Sequence, residues 1–224
     1  MQVKLKSDFH DYYDHWFDFD GIPFERYLRQ GRGRRAALEF LSAIGVKTPP
    51  YGTPREVMNQ TYPRLLEREQ ELQKDSKYLL SVVIYLDENA HRGEGKVLMP
   101  LYQASDKYPN YLCSLFIPPL PGKSVSMRYL QIGKKGFWLR YTSRDDWRSN
   151  CGNVEIEIIK QEEDAYHPQI HYPLFAIDYI ANTEELLAVD LNVSPGVKGT
   201  GIEEILSGKE VVDLIREAIG DFKK

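Results

Sequence analysis

The order of elements predicts an α+β chain. An amphipathic helix with a clear stop comes early, apolar runs of strand character fill the middle and pair into hairpins, and an amphipathic helix closes the sequence. Ala36, Ala37, Phe40, Leu41 and Ile44 recur at three- and four-residue spacing, which predicts the first helix. Gly45 fits its stop, and Val46-Lys-Thr-Pro-Pro50 reads as an extended exit because proline cannot continue a helix. A second helix is expected from about Pro54 to Asp75, with Pro63 placed to break it. Tyr78 to Leu86 is a buried strand running into the polar glycine loop Asp87 to Lys96. Leu112 to Ile117 is another strand, ended by Pro118-Pro-Leu-Pro-Gly122. Ser126–Ile132 and Phe137–Thr142 flank a Gly-Lys-Lys-Gly turn and predict an antiparallel hairpin. Val154 to Ile159 alternates as a half-exposed strand. Leu174–Ile180 and Leu187–Asn192 are two further strands, which can pair through 181–185. A helical turn at Ile202–Leu206 and a helix at Glu210–Ile219 complete the chain.

Composition bounds the function. The 224 residues suffice for one large domain or two lobes around a substantial core, and 42% apolar with 28% charged residues is ordinary for a globular protein. A net charge of −4 gives no electrostatic reason to expect nucleic acid as a partner. Cys113 and Cys151 form neither a metal-ligand pattern nor a disulfide framework and read as reduced thiols. No apolar run reaches membrane-spanning length and Met1 to Ser7 lacks a signal-peptide core, so a cytoplasmic location is expected.

Several segments carry chemistry-bearing side chains. In Leu187-Ala-Val-Asp-Leu-Asn-Val-Ser-Pro-Gly196, strand alternation sets Leu187, Val189 and Leu191 on one face and Asp190 and Asn192 on the other. If this strand pairs with Leu174–Ile180, the Asp178 and Asp190 carboxylates converge, and with Asn192 they offer oxygen ligands to a hard divalent cation. The alternative is a pair of strands with solvent-facing polar residues. Gly93, Gly95 and Lys96 form a loop whose backbone can approach phosphate. It is not a Walker A motif, since the spacing and the trailing Ser or Thr are absent. Arg148 and Asn150 follow a strand; the arginine suits a phosphate or carboxylate and the asparagine a developing negative charge or a metal, while a capped surface turn is the plain alternative. Arg128 and Arg140 lie on neighbouring strands and are candidates for the same cleft. At the N-terminus, His10, Asp11, Asp14 and His15 have helical spacing suited to a metal, but an aromatic-rich arm packed on the main domain is the favoured reading. The arginines from Arg26 to Arg35 form a basic loop suited to phosphate, with a solvated face as the favoured reading.

Taken in order, these pieces resemble the ATP-grasp fold, and most closely its branch of ribosomal-protein glutamate ligases and related amino-acid ligases. The likeness rests on the helix and Gly-Val-Lys-Thr-Pro exit at 35–49, Ser81–Tyr85 leading into His91–Lys96, Leu115-Phe-Ile117, Arg128-Tyr-Leu-Gln-Ile-Gly133, Arg148-Ser-Asn150, Asp178, and Asp190-Leu-Asn-Val-Ser-Pro-Gly196, covering roughly 34–220. The resemblance implies a two-lobed fold of mostly antiparallel sheets with flanking helices: an arm at 1–33, an N-terminal lobe with the glycine loop at 34–114, and a C-terminal lobe with the metal site at 115–224. It further implies an ATP- and Mg²⁺-dependent carboxylate–amine ligase acting through an acyl-phosphate. Asp178, Asp190 and Asn192 would hold the metal, and Gly93, Gly95, Lys96, Phe116 and Ile117 the nucleotide. Arg128, Arg148 and Asn150 would be catalytic. A carboxylate and an amine, held by a partner protein, would be the substrates. The chain departs from the family pattern: the lysine before the glycine loop is replaced near Ile84-Tyr85, and Leu115 and Phe116 stand where a hinge glutamate is common. A nucleotide-binding module without ligase activity and a partner-docking protein remain as alternatives.

Overall fold

The computed structural model describes residues 33–62, 80–88, 95–118, 123–165, 167, 169–170, 172–180, 185–193, 195–197 and 199–222. The N-terminal arm through residue 32, the second half of the expected second helix, Gly93 with most of its loop, and Ser194 lie outside these residues. The described elements are α1 (Arg34–Ala43), β1 (Tyr51–Gly52), β2 (Ser81–Tyr85), β3 (Lys96–Pro100), α2 (Leu101–Lys107), β4 (Cys113–Leu115), β5 (Ser124–Ile132), β6 (Lys135–Ser143), β7 (Val154–Glu162), β8 (Leu174–Ile180), β9 (Leu187–Asn192), a 3₁₀ turn at Ile202–Glu204 and α3 (Gly208–Phe222). Residues 54–62 are also helical. The strands form two antiparallel sheets, one ordered β1-β4-β2-β3 and one ordered β7-β6-β5-β8-β9.

The smaller sheet packs its outer side under helices, and the larger sheet packs on both of its faces. In the smaller sheet Val82, Ile84 and Cys113 point outward to Val57 of the 54–62 helix and to Leu101 and Ala104 of α2. Residues of opposite parity, Val83, Tyr85 and Ser114, turn the other way, toward the larger sheet. In the larger sheet, Leu130, Ile132, Phe137, Leu139, Leu174 and Ala176 pack under Val211 and Ile215 of α3. Tyr129, Phe175, Ile177, Ala188 and Leu191 pack on the opposite face, against Ala37 and Leu41 of α1. The face covered by α3 is core at one end and cleft at the other. Along β5 the even-numbered residues run from Leu130 and Ile132 under the helix to Ser126 and Arg128 in the open.

α1 ends as the sequence predicts. The Gly45 amide donates to the Ser42 carbonyl at 3.1 Å and Val46 to Leu41 at 2.9 Å, a left-handed cap with Gly45 at φ 81°. The exit segment then runs beside β9, where Ala188 donates to the Lys47 carbonyl at 2.8 Å. This covers part of an otherwise open sheet edge.

Three expectations need correction. The strict alternation expected in β9 fails, because a bulge shifts the register: Asp190 faces Asp178 but Ala188, not Val189, faces Tyr179. The extra residue puts Val189 in the cleft beside Asp190 and gives its core place to Ala188. Lys96 does not stay in the glycine loop; it opens β3, a strand absent from the sequence reading. Arg140 pairs in register with Met127 rather than Arg128, so it falls on the other face, where it is ion-paired with Glu157 in solvent.

Candidate functional site

Between the inner faces of the two sheets lies a cleft of about 720 Å³. Lys96, Phe116 and Ile117 from the smaller sheet line it, as do Arg128, Arg148, Asn150, Asp178, Asp190 and Asn192 from the larger one. These residues come from six separate stretches of sequence, and the fold brings them to one place. Gly95 sits just outside, at φ 62°, accepting a hydrogen bond from the Leu86 amide at 2.7 Å. Gly93 is outside the described residues.

The convergence follows from register. Asp178 and Asp190 are direct cross-strand partners, Arg128 is the partner of Asp178 on the other side, and Asn192 lies opposite Ala176 on the same face. One row across β5, β8 and β9 therefore reads Arg, Asp, Asp. Arg128 grips Asp178 with two parallel bonds, Nε to Oδ1 at 2.6 Å and Nη2 to Oδ2 at 2.9 Å. Its guanidinium also lies 5.1 Å from the centre of the Tyr141 ring. Burial alone would raise the Asp178 pKa, but the Arg128 charge and hydrogen bonds outweigh it and hold the carboxyl below the usual aspartate range.

Arg34 is the residue that sequence reasoning missed. The basic loop that holds it reads chiefly as a solvated face, yet Arg34 is only 8% exposed. Nη1 lies 2.7 Å from Asp190 Oδ1 and donates to the Val189 carbonyl at 2.9 Å. Its guanidinium stands 5.3 Å from the centre of the Tyr85 ring. Arg34 thus touches both sheets. A signal was present: with Ala37, Leu38 and Leu41 it makes the i, i+3, i+4, i+7 stripe that α1 buries.

Lys96 approaches the same tyrosine. It is the cross-strand partner of Tyr85, and its Nζ lies 5.9 Å from that ring's centre. Tyr85 is anchored by a 2.9 Å hydrogen bond between its hydroxyl and Ser114 Oγ. Burial first, and then repulsion from Arg34, bring the Lys96 amine down to about 8; Asp190 and Asp178 offset this only in part.

The segment 144–153 presents Arg148, Ser149 and Asn150 from a hydrogen-bonded loop. Asp146 accepts from the Arg148 backbone at 2.8 Å and from its guanidinium at 2.9 and 2.8 Å. Asp145 is held by Ser143 Oγ at 3.0 Å and by the Asn153 amide at 3.1 Å. Gly152, at φ 72°, passes so close that an added Cβ would stand 2.2 Å from Asp145 Oδ1. Trp147 lies between, edge-on to Phe116 with ring centres 5.6 Å apart.

The charged side chains lining the cleft are Arg34, Lys96, Arg128 and Arg148 against Asp178 and Asp190, a surplus of two cations among the described residues. That suits a polyanion. For a divalent metal the donor chemistry fits, since two carboxylates and an amide oxygen stand on neighbouring positions. Both carboxylates also receive arginine, so a cation would share them with Arg34 and Arg128. No group of three or more His, Cys, Asp or Glu converges among the described residues.

No family model matches the chain and no curated protein matches it. Solved structures do. The macrocyclase MdnC bound with precursor peptide MdnA, from Microcystis aeruginosa MRC, aligns with a TM-score of 0.50 at 12% identity, over 83% of this chain and 60% of that one. The D-alanine–D-alanine ligase of Bacillus anthracis aligns with a TM-score of 0.49 at 10% identity, over 91% of this chain and 73% of that one. A RiPP-associated ATP-grasp ligase of Chryseobacterium gregarium, in complex with ADP and a leader and core peptide, aligns with a TM-score of 0.43 at 13% identity, over 80% of this chain and 58% of that one. The chain thus spans between 58% and 73% of the length of these structures. Its fold is the ATP-grasp fold: two antiparallel sheets with flanking helices facing each other across a cleft. No helix among the described residues is long and apolar enough to cross a membrane.

Proposed function

We propose that this chain is an ATP-dependent carboxylate–amine ligase. A substrate carboxylate oxygen attacks the γ-phosphorus of ATP, forming an acyl-phosphate and releasing ADP. An amine then attacks the acyl carbon, expels inorganic phosphate, loses a proton and leaves an amide. The observation that carries this reading is the convergence of four cations with Asp178, Asp190 and Asn192 in one cleft between the sheets.

The chain's own residues would act chiefly by position and charge. Lys96 from the smaller sheet and Arg34 from α1, both beside Tyr85, face the phosphates. Arg128 and Arg148 meet phosphate or acyl-phosphate oxygens from the larger sheet. Asn150, on the loop set by Asp146, donates to charge developing on the acyl oxygen. Asp178, Asp190 and Asn192 are the residues that would hold Mg²⁺, which would supply positive charge to the phosphoryl transfer. No side-chain nucleophile is needed, and the transfer balances without one. The carboxylate and amine are proposed to arrive on a substrate presented by a partner protein, with peptides as the first candidates, since the macrocyclase sharing this fold is bound with one.

The test is trapping. With Mg-ATP and a panel of peptide carboxylates, hydroxylamine should capture a hydroxamate and ADP should form in equal amount. Arg148→Ala should abolish both while the fold persists. ADP release without hydroxamate or amide on every acid tried would contradict ligation.

A second reading has its own support. Both candidate metal carboxylates are already neutralised by arginines, as suits a module that binds nucleotide and does not transfer phosphate. Magnesium-independent ATP affinity with no turnover would favour it.

A further inference from the structure

We propose that Glu88 is a positioning residue for the nucleotide site: it clasps the N-terminus of α1 to the end of β2, and so sets Arg34 across the cleft. This rests on the nucleotide-binding reading above.

α1 begins without a cap of its own. Gly33 precedes it at φ 77° and has no side chain to offer, and the first turn holds no acid. The leading amides of a helix have no acceptor within it and need one from elsewhere. Here the acceptor is Glu88, just beyond the end of β2. Its carbonyl accepts from the Arg34 amide at 2.8 Å, and its Oε2 accepts from the Arg35 amide at 3.3 Å. The other carboxylate oxygen lies 3.5 Å from Arg35 Nε. A negative charge at that end also meets the positive pole of the helix.

The clasp spans the two sheets. α1 packs on the larger sheet through Ala37 and Leu41, whereas Glu88 follows β2 of the smaller one. Residues 85–88 therefore hold Arg34 by its side chain and by its backbone. Tyr85 stacks on the guanidinium, 5.3 Å from the ring centre, and Glu88 takes the amide. The larger sheet completes the grip, since Nη1 reaches Asp190 Oδ1 and the Val189 carbonyl. Arg34 is the first residue of the helix, in the turn that frays when its amides lose their acceptors. Fraying there would carry the guanidinium off Tyr85 and Asp190, although Glu88 itself does not line the cleft. The same contact matters little to the fold. The Arg35 and Glu88 side chains are 38% and 34% exposed, and an ion pair in that setting contributes little to stability. Its loss is therefore expected to show in the site rather than in thermal unfolding.

The test is calorimetric titration of Mg-ATP into the full chain and its Glu88→Ala and Glu88→Gln variants, repeated in an Arg34→Ala background. Glu88→Ala should weaken binding about fivefold, the scale of a lost helix cap, with thermal unfolding nearly unchanged. Glu88→Gln should recover most of that loss, because its amide oxygen still accepts from the Arg35 N–H. In the Arg34→Ala background, Glu88→Ala should change affinity by less than about twofold, since Glu88 acts through Arg34. Arg34→Lys, which keeps the charge but not the planar fork, takes its place in the cycle if the alanine variant does not fold. An equal loss in both backgrounds would mean a general loosening and would overturn the proposal. So would unchanged affinity in Glu88→Ala alone, a Gln variant no better than the alanine one, or a Glu88→Ala protein whose fold collapses. Each of these leaves the nucleotide reading standing. A parent protein with no affinity for Mg-ATP would overturn both.

Discussion

Arg34 and Arg128 each hold one of the two aspartates, and the balance of those pairs sets what single substitutions do. Removing one partner of a buried pair leaves an uncompensated charge, at a cost of roughly 3–5 kcal/mol, while the pair as a whole adds little over well-packed apolar groups. Arg34→Ala should therefore lower unfolding free energy by about 3 kcal/mol in denaturant titration. The double variant Arg34→Ala/Asp190→Ala should be less destabilised than the sum of its singles. A strictly additive result would mean the pair is not coupled. Asp178 has a depressed folded pKa, so its stabilisation is present above the ordinary aspartate range and lost as pH falls through the lower folded value. Asp178→Asn should flatten that acid limb. Lys96 is shifted down, to about 8. It binds phosphate only when protonated, so affinity for ATP should fall as pH rises through about 8, and Lys96→Met should be weaker and flat over that range.

At the scale of elements, the site depends on a bulge and a loop. Gly152 lies against Asp145, and a methyl group there must displace the carboxylate that ties the loop together. Gly152→Ala should therefore move Arg148, Ser149 and Asn150 and depress turnover by tenfold or more, at the scale of one lost transition-state contact. Thermal unfolding should change far less; a collapse of the whole fold would show that the loop is structural rather than a support for the site. The β8–β9 hairpin was legible because two apolar runs, one carrying Asp178 and the other Asp190 and Asn192, are separated by a short polar link. The bulge was not, because Val189 is apolar and suits either face. Arg34 was hidden by its neighbours: one arginine in a run of five reads as solvated, and only the buried stripe of α1 sets it apart. β3 escaped because Lys96-Val-Leu-Met-Pro100 is short, carries a proline and follows glycines. A strand pairing only with β2 at the sheet edge tolerates that composition.

Over the whole molecule, two sheets present their polar residues to each other, and the cleft inherits the charge of both. The larger sheet has cores on both faces, so its Arg–Asp–Asp row rides on a rigid platform. The smaller sheet supplies Lys96 and Tyr85, with packing of its own. α1 joins them, since Arg34 emerges from a helix packed on the larger sheet and stacks on a tyrosine of the smaller one. The central claim is that this cleft receives a magnesium nucleotide. The most direct measurement is calorimetric titration of Mg-ATP into the parent and Asp190→Asn proteins, each with and without magnesium. The parent should bind in a magnesium-dependent manner, and the variant should lose at least about tenfold in affinity while remaining folded. A parent protein with no affinity for Mg-ATP, or an Asp190→Asn protein that binds it unchanged, would contradict the account.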